Sequence, residues 1–166
     1  MRLAKEGLPT LAALVLVTLA LFVFSPWLWV NGVAVVLCGF AFWFYRDPDR
    51  MPPGGEGEGD GIFVAPADGK VVEIVPAAHP FTGEATKVGI FMDVFCVHVN
   101  RVPCRGSVEY LEYVPGKKIA AFAPKASEVN ERHYVGLSTA YGPVLLVQIA
   151  GLLARRIVCH VRRGDV

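Results

Sequence analysis

The chain opens with two apolar runs, LPTLAALVLVTLALFVF at residues 8–24 and WLWVNGVAVVLCGFAFWFY at residues 27–45, with only Ser25 and Pro26 between them. Each run would form about 25–29 Å of helix, which is close to the minimum length for crossing a bilayer. Pro26 lacks an N–H and disfavours helix at Ser25, so a tight turn between two helices is expected. The pattern predicts an α-helical membrane hairpin over residues 1–45.

Basic residues flank this hairpin on both sides: Arg2 and Lys5 precede it, and Arg46 and Arg50 follow it. Positively charged residues next to membrane segments stay on the cytoplasmic side. Both ends of the hairpin are therefore expected to face the cytoplasm, which predicts a protein of the cell inner membrane with its soluble domain on the cytoplasmic side. A shallow re-entrant hairpin in the inner leaflet is an alternative that the sequence leaves open, because both runs are short.

The rest of the chain has a different character. Residues 46–61 hold Asp-Pro and Pro-Pro steps and a Gly/Glu run, a composition typical of a linker. Residues 62–166 show short β-branched stretches bounded by Gly, Pro and Asp, without a sustained helical period. We therefore predict a mainly β soluble domain, antiparallel and barrel-sandwich-like, with a loop and short helix within residues 117–132. The predicted strands are residues 62–65, 70–76, 87–92, 107–113, 134–138, 144–150 and 155–161.

Composition excludes some classes of function. The formal net charge of the 166 residues is +1, and no long run of Lys or Arg is present, so no nucleic-acid partner is expected. The four cysteines contain no C-x-x-C pair, which favours buried thiols in a reducing compartment over a disulfide framework. The spacing of cysteines and histidines matches no common zinc module, so no metal is expected.

Two polar motifs in the β region are candidates for chemistry. Asp68 lies in VAPADGK at residues 64–70, which is either an Asp-Gly hairpin turn or a carboxylate held near a reacting centre. His98 and Asn100 lie in FCVHVNRVP at residues 95–103 and would share one face if the preceding strand continues. A single histidine is often structural. Two polar clusters with acid–base capacity at strand ends nevertheless favour an active site.

These motifs, taken in order, resemble the phosphatidylserine decarboxylases, in particular the short forms with an N-terminal membrane segment. The resemblance runs through nearly the whole chain. The matching pieces are YRDP at residues 45–48, APADG at 65–69, HVNR at 98–101 with Pro103, PGK at 115–117, KASE at 125–128 with NER at 130–132, QIAG at 148–151 and ARRIV at 154–158.

The resemblance implies a self-processing proenzyme that converts phosphatidylserine into phosphatidylethanolamine and carbon dioxide in phospholipid biosynthesis. By position in the motifs, Asp68 matches the family aspartate tied to self-cleavage, and His98 matches the histidine tied to decarboxylation. Some longer members carry a second histidine where this chain has Arg101, so the base for self-cleavage stays open. The residues expected to bind substrate are Asn100, Arg101, Arg155 and Arg156, of which the two adjacent arginines are suited to a lipid phosphate.

The resemblance also implies a cofactor and partners. The family derives a pyruvoyl group from a serine in a Gly-Ser step, and that serine is expected on a segment beyond Val166. Gly106-Ser107 is a Gly-Ser step within the chain, but it lies in a predicted strand and is interpreted as structural. The expected partners are the phospholipid membrane, phosphatidylserine, and a C-terminal pyruvoyl-bearing chain of the same proenzyme. Residues 1–166 alone are therefore expected to be inactive.

Two other functions compete with this interpretation. APADGKV at residues 65–71 looks like a strand-turn pair of a biotinyl- or lipoyl-carrier module, although such a module needs a lysine at a hairpin tip. A membrane-tethered β domain without catalytic activity is the second alternative. A similar β architecture is shared by proteins of unrelated function, so these alternatives must be separated by the site.

Overall fold

The computed structural model describes residues 2–51 and 62–166. The chain forms two compact units, one made of Met1–Arg50 and Met92–Asn100, the other of Met51–Phe91 and Arg101–Val166. Most of the predicted linker, residues 52–61, lies outside the described residues. The predicted domain boundaries stay predictions.

The first unit is built on two apolar helices, α1 (Leu8–Phe24) and α2 (Leu28–Phe44). A short strand before them, β1 (Arg2–Leu3), pairs antiparallel with β2 (Arg46–Asp47) after them. The pairing brings the start of α1 beside the end of α2, so the helices form a hairpin, as the two apolar runs predicted. Together with a preceding 3₁₀ turn, Lys5–Phe24 is long and apolar enough to span a membrane, whereas α2 is apolar but shorter.

Residues 92–100 complete the first unit as an irregular segment. The sequence placed His98 and Asn100 on one face if the preceding strand continues, and residues 92–100 form no strand. Asp93 Oδ1 accepts hydrogen bonds from the N–H groups of Phe95 (2.8 Å) and Cys96 (3.1 Å), and Cys96 N–H also points at the Asp93 carbonyl oxygen (3.1 Å). An aspartate that binds backbone N–H groups two and three residues ahead stabilises a turn and competes with a sheet ladder.

The second unit contains two antiparallel sheets. The strands β3 (Lys70–His79) and β4 (Gly83–Phe91) form a two-stranded hairpin. The strands β5 (Ser107–Val114), β6 (Arg132–Thr139) and β7 (Gly142–Ile149) form a three-stranded sheet with β6 in the centre. The prediction of a mainly β, antiparallel domain is confirmed, and the barrel-sandwich arrangement stays a prediction. The short helix expected within residues 117–132 is α3 (Ala126–Val129).

The core of the second unit lies on one face of the three-stranded sheet. Residues two apart on a strand share a face, so β6 places Val135 and Leu137 side by side, and both are buried with Val108 of β5. Burial of each such side chain contributes about 1.5–3 kcal/mol. The partly buried side chains packed against them are Leu111, Val144, Leu146, Cys159 and Val161.

The tip of the β3–β4 hairpin packs on the three-stranded sheet. The ring of His79 lies 5.5 Å from the rings of both Tyr110 and Tyr134, and Phe81 stacks on Tyr110 at 5.6 Å. A Cβ atom at Gly136 would lie 2.7 Å from the Phe81 ring, so glycine at this position allows the close approach. The aromatic cluster joins the two sheets of the unit.

Two strand predictions are wrong. Residues 62–65 form no strand, although Val64 N–H donates to Pro103 O (2.9 Å) and Arg101 N–H to Pro66 O (2.8 Å). The two prolines lack donors, which stops this pairing from growing into a ladder. Residues 155–161 also form no strand, although Cys159 and Val161 in this segment pack against the core. The backbone bonds to β5 come later, from Val108 N–H to Asp165 O (2.9 Å) and from Gly164 N–H to Val108 O (2.8 Å).

Candidate functional site

His98 lies against the end of the helical hairpin. Its ring stacks on Phe44, the last residue of α2, with ring centroids 4.2 Å apart and planes inclined by 30°. The guanidinium of Arg46 donates to the backbone oxygens of Trp43 (2.7 Å) and Phe95 (2.5 Å), and therefore ties the helix end to the turn that precedes His98. The hairpin fixes the position of the histidine.

The surroundings of His98 favour a neutral imidazole. Burial lowers the pKa of His98 below its ordinary 6.5 and the charge of Arg46 lowers it further, while the hydrogen bond with the Cys96 carbonyl and the charge of Asp93 oppose the shift. Nδ1 lies 3.0 Å from the Cys96 carbonyl oxygen. A carbonyl oxygen only accepts, so Nδ1 carries the proton and the neutral ring has its lone pair on Nε2. At neutral pH, Nε2 can therefore take up a proton.

Asn100 follows His98 by two residues and holds an unusual amide oxygen. Its Oδ1 is buried, and no hydrogen-bond partner lies within reach among the described residues. A buried acceptor without a donor costs about 1–3 kcal/mol. A ligand or a further segment of protein that brings a donor to Oδ1 would recover this free energy.

Asp68 and Arg101 lie in the second unit, and the backbone pairing described above brings their motifs together. Arg101 N–H donates to the carbonyl oxygen of Pro66, two residues before Asp68. Both Asp68 and Arg101 are partly buried. Gly69 has a φ of 149°, and a Cβ atom at this position would clash with the Phe91 carbonyl oxygen, so the residue after Asp68 must be glycine. The Asp-Gly turn is therefore held by the hydrogen bond to Pro66 on one side and by the close packing of Gly69 on the Phe91 carbonyl on the other.

Arg155 and Arg156 are exposed in the segment that follows β7. The turn before them is closed by hydrogen bonds from Gly151 N–H to Ala154 O and from Arg155 N–H to Leu153 O, both 2.9 Å. The two predicted phosphate ligands are therefore accessible to a ligand from solution.

The described residues form neither a metal-ligand cluster nor a disulfide. Within residues 2–51 and 62–166, no three His, Cys, Asp or Glu side chains are grouped so as to hold a metal ion. All four cysteines lie in this part of the chain, are partly buried, and take part in no disulfide. Burial raises the pKa of the Cys104 thiol, which makes this thiol less reactive.

Sequence reasoning missed three residues that position His98. Arg46 was noted as a flanking charge and as part of the YRDP motif, but not as a residue that contacts the segment before His98. Asp93 follows a strand and precedes the histidine motif, and that place could have signalled a side-chain cap on a turn. The stacking of Phe44 had no signal in the sequence, because an aromatic residue at the end of an apolar helix is ordinary.

Arg46→Gln should raise the pKa of His98 toward 6.5, since it removes a positive charge that opposes protonation. Asp93, the other charged group near the ring, is unchanged. Ring-labelled histidine NMR of the full chain in detergent measures the titration. Arg2→Gln is the matched control: it removes an exposed charge of the same unit, paired at 3.0 Å with Asp49, and should leave His98 unchanged. An unshifted or lower pKa in Arg46→Gln would contradict the assignment.

The lowered pKa of His98 also makes the free energy of unfolding depend on pH. A folded pKa below 6.5 means that the unfolded chain binds the proton more readily. The contribution of His98 to the free energy of unfolding is therefore complete above pH 6.5 and is lost as the pH falls through the folded pKa. Raising that pKa with Arg46→Gln makes this loss smaller.

The protein combines a helical hairpin of apolar residues, an antiparallel β unit and a neutral, half-buried histidine. These features define its class as a mainly β protein with an apolar N-terminal helical hairpin and acid–base capacity. The family profile described as phosphatidylserine decarboxylase matches residues 37–166. The chain belongs to the phosphatidylserine decarboxylase family, as its motifs predicted.

Individual relatives agree over nearly the whole chain. It is 43% identical over 167 residues to a phosphatidylserine decarboxylase proenzyme of Syntrophus aciditrophicus, covering 99% of this chain and 76% of the relative. Proenzymes of the same name from Symbiobacterium thermophilum and Chlorobium chlorochromatii are 48% and 44% identical, covering 98% and 95% of this chain and 74% and 73% of the relatives. These matches do not favour the carrier-module or non-catalytic alternatives.

Proposed function

We propose that the chain is the membrane-anchored, larger part of a phosphatidylserine decarboxylase, which forms phosphatidylethanolamine and carbon dioxide in phospholipid biosynthesis. The observation that carries the proposal is His98, a neutral, half-buried imidazole held against the end of the hairpin within a chain of this family. The names of the relatives supply the substrate, and His98 supplies a proton-transferring group at the motif that the family resemblance assigned.

The hairpin supports a place at the cell inner membrane. Large apolar side chains near its tip are exposed, such as Phe24 (83%) and Leu28 (82%), and lipid would cover them. The β1–β2 pairing puts Arg2 and Arg46 at the same end of the hairpin, and positive residues stay on the cytoplasmic side. The soluble part then lies on the cytoplasmic side, where its lipid substrate is concentrated on the same surface.

We further propose that the catalytic pyruvoyl group is carried by another segment of the same proenzyme, outside residues 1–166. When bound, the group supplies an electron sink for the electron pair left by carbon dioxide. The residues present suit such a partner: the buried Oδ1 of Asn100 needs a donor, and Nε2 of His98 accepts a proton. The word proenzyme in the names of the relatives agrees with a precursor that is cut into partner chains.

His98 moves the proton in this proposal. The ammonium of the substrate serine must lose a proton before its nitrogen can react, and Nε2 takes that proton up. The same proton returns to the α-carbon after carbon dioxide leaves, so His98 is restored to its neutral form. Arg155 and Arg156 hold the lipid phosphate, since guanidinium groups pair well with phosphate oxygens, and Arg101 and Asn100 orient the headgroup.

Asp68 serves self-cleavage. Its carboxylate accepts a hydrogen bond from the attacking serine hydroxyl and makes that oxygen more nucleophilic. Positioned acid–base groups contribute about 10²–10⁴-fold, so Asp68→Asn in the complete proenzyme should slow self-cleavage by this factor. Intact mass spectrometry at timed intervals measures the uncut precursor.

His98→Gln is the control for this experiment, because it should cut normally. A precursor with Asp68→Asn that matures at the wild-type rate would remove Asp68 from the mechanism. If the wild-type precursor is never cut and releases no carbon dioxide, the proposed function itself is wrong.

A further inference from the structure

Two loops of the second unit leave the three-stranded sheet at the same end. In the β6–β7 pairing, Arg132 lies opposite Ile149, and Thr139 lies opposite Gly142 at the far end. The loop that precedes Arg132 and the segment that follows Ile149 therefore start side by side. We call residues 117–125 and 150–156 the paired loops.

A buried asparagine holds the paired loops together. Asn130 is 1% exposed, and its amide nitrogen donates to the carbonyl oxygens of Ile119 (2.9 Å) and Ala150 (2.8 Å). Its Oδ1 accepts the N–H of Ile119 at 3.0 Å. One side chain thus fixes the bases of both loops, so their tips occupy defined positions.

The tips of the paired loops expose large apolar side chains. Phe122 is 83% exposed, and Leu152 and Leu153 are 57% and 59% exposed. Backbone hydrogen bonds shape both tips into turns, from Ala123 N–H to Ala120 O in the first loop and across residues 151–154 in the second. Apolar groups held out in ordered turns cost free energy in water, and such groups mark contact sites.

Basic residues surround these apolar tips. The paired loops read KKIAAFAPK and AGLLARR, with five cations and no carboxylate. Lys118 is held by the buried carboxylate of Glu131 at 3.0 Å. The exposed cations are Lys117, Lys125, Arg155 and Arg156. Apolar tips with cations around them fit an anionic bilayer, which takes apolar side chains at the acyl boundary and cations at its phosphates.

We propose that the paired loops are a lipid-contacting surface of the second unit that docks on an anionic bilayer. The tips are turns and offer no sheet edge, so they lack the backbone ladder that an added peptide strand would use. The proposal deepens the proposed function and rests on it in one respect, that the substrate is itself an anionic lipid. It gives the β unit its own membrane contact, independent of the apolar helices.

The test places the photo-crosslinking residue benzoylphenylalanine at position 122 of the full chain. The variant is reconstituted in phosphatidylcholine vesicles with or without phosphatidylglycerol and irradiated, and intact mass spectrometry counts lipid adducts. Position 141 is the matched control, because Tyr141 is also aromatic and exposed (63%). It lies at the other end of β6, roughly 24 Å away along an eight-residue strand.

Position 122 should give several-fold more lipid adduct than position 141, and more with phosphatidylglycerol than without it. Lys117→Gln with Lys125→Gln should lower the yield at 122 several-fold and leave position 141 unchanged. Equal yields at both positions, no response to phosphatidylglycerol, or an adduct to a protein segment in place of lipid would overturn the proposal. The readout needs no turnover, so adducts without carbon dioxide release from the complete proenzyme would refute the proposed function alone.

Discussion

His98→Gln in the complete proenzyme should lower the rate of phosphatidylserine decarboxylation by about 10²–10⁴-fold, the usual contribution of a positioned acid–base group. Glutamine can form hydrogen bonds in the same space but cannot take up and return a proton at Nε2. The variant loses the ring stacking on Phe44, but the Arg46 bonds to the backbone oxygens of Trp43 and Phe95 do not use the side chain at position 98, so the preceding turn should keep its shape. Carbon dioxide release from phosphatidylserine in mixed vesicles measures the rate.

His160→Gln is the matched control, because this histidine is exposed and lies outside the proposed machinery. It should leave the rate unchanged. The wild-type rate should fall on the acid side with an apparent pKa below 6.5, where Nε2 becomes protonated before substrate arrives, and Arg46→Gln should move this limb upward. Decarboxylation by His98→Gln at the wild-type rate would mean that the histidine is structural and that another group transfers the proton.

The second large effect concerns stability. Asn130→Ala should lower the free energy of unfolding by about 3–5 kcal/mol, because three hydrogen bonds are lost and buried backbone groups of Ile119 and Ala150 are left without partners. Urea unfolding of the full chain in detergent, followed by the near-ultraviolet signal of the second unit's tyrosines, measures the change. Amide hydrogen exchange at Ile119 should also become faster.

Ser127→Ala in α3 is the control for this variant, since Ser127 is exposed three residues before Asn130. Ser127→Ala should change the free energy of unfolding by no more than about 0.5 kcal/mol. A loss below about 1 kcal/mol for Asn130→Ala would show that water replaces the amide, and that the paired loops do not depend on Asn130 for their position.

Local features of the fold were predictable. The helix bounds Leu8–Phe24 match the first apolar run, because length, composition and Pro26 set the helices without help from distant residues. Strands β3 to β7 were found from β-branched stretches and their bounding turns. Two segments of strand-like composition, residues 62–65 and 155–161, form no strand. Prolines limit the ladder of the first, and the second packs Cys159 and Val161 against the core without joining a sheet.

The sequence by itself determined the apolar hairpin, the antiparallel β character, the family and the identity of Asp68 and His98 as candidates, because these rest on local patterns and on motifs in order. Only the tertiary structure decided that Arg46 reaches Phe95, 49 residues along the chain, and that His98 is stacked on Phe44 and kept neutral. It also decided that Asn130 joins two loops. Such contacts follow from packing between distant segments, which no local periodicity encodes.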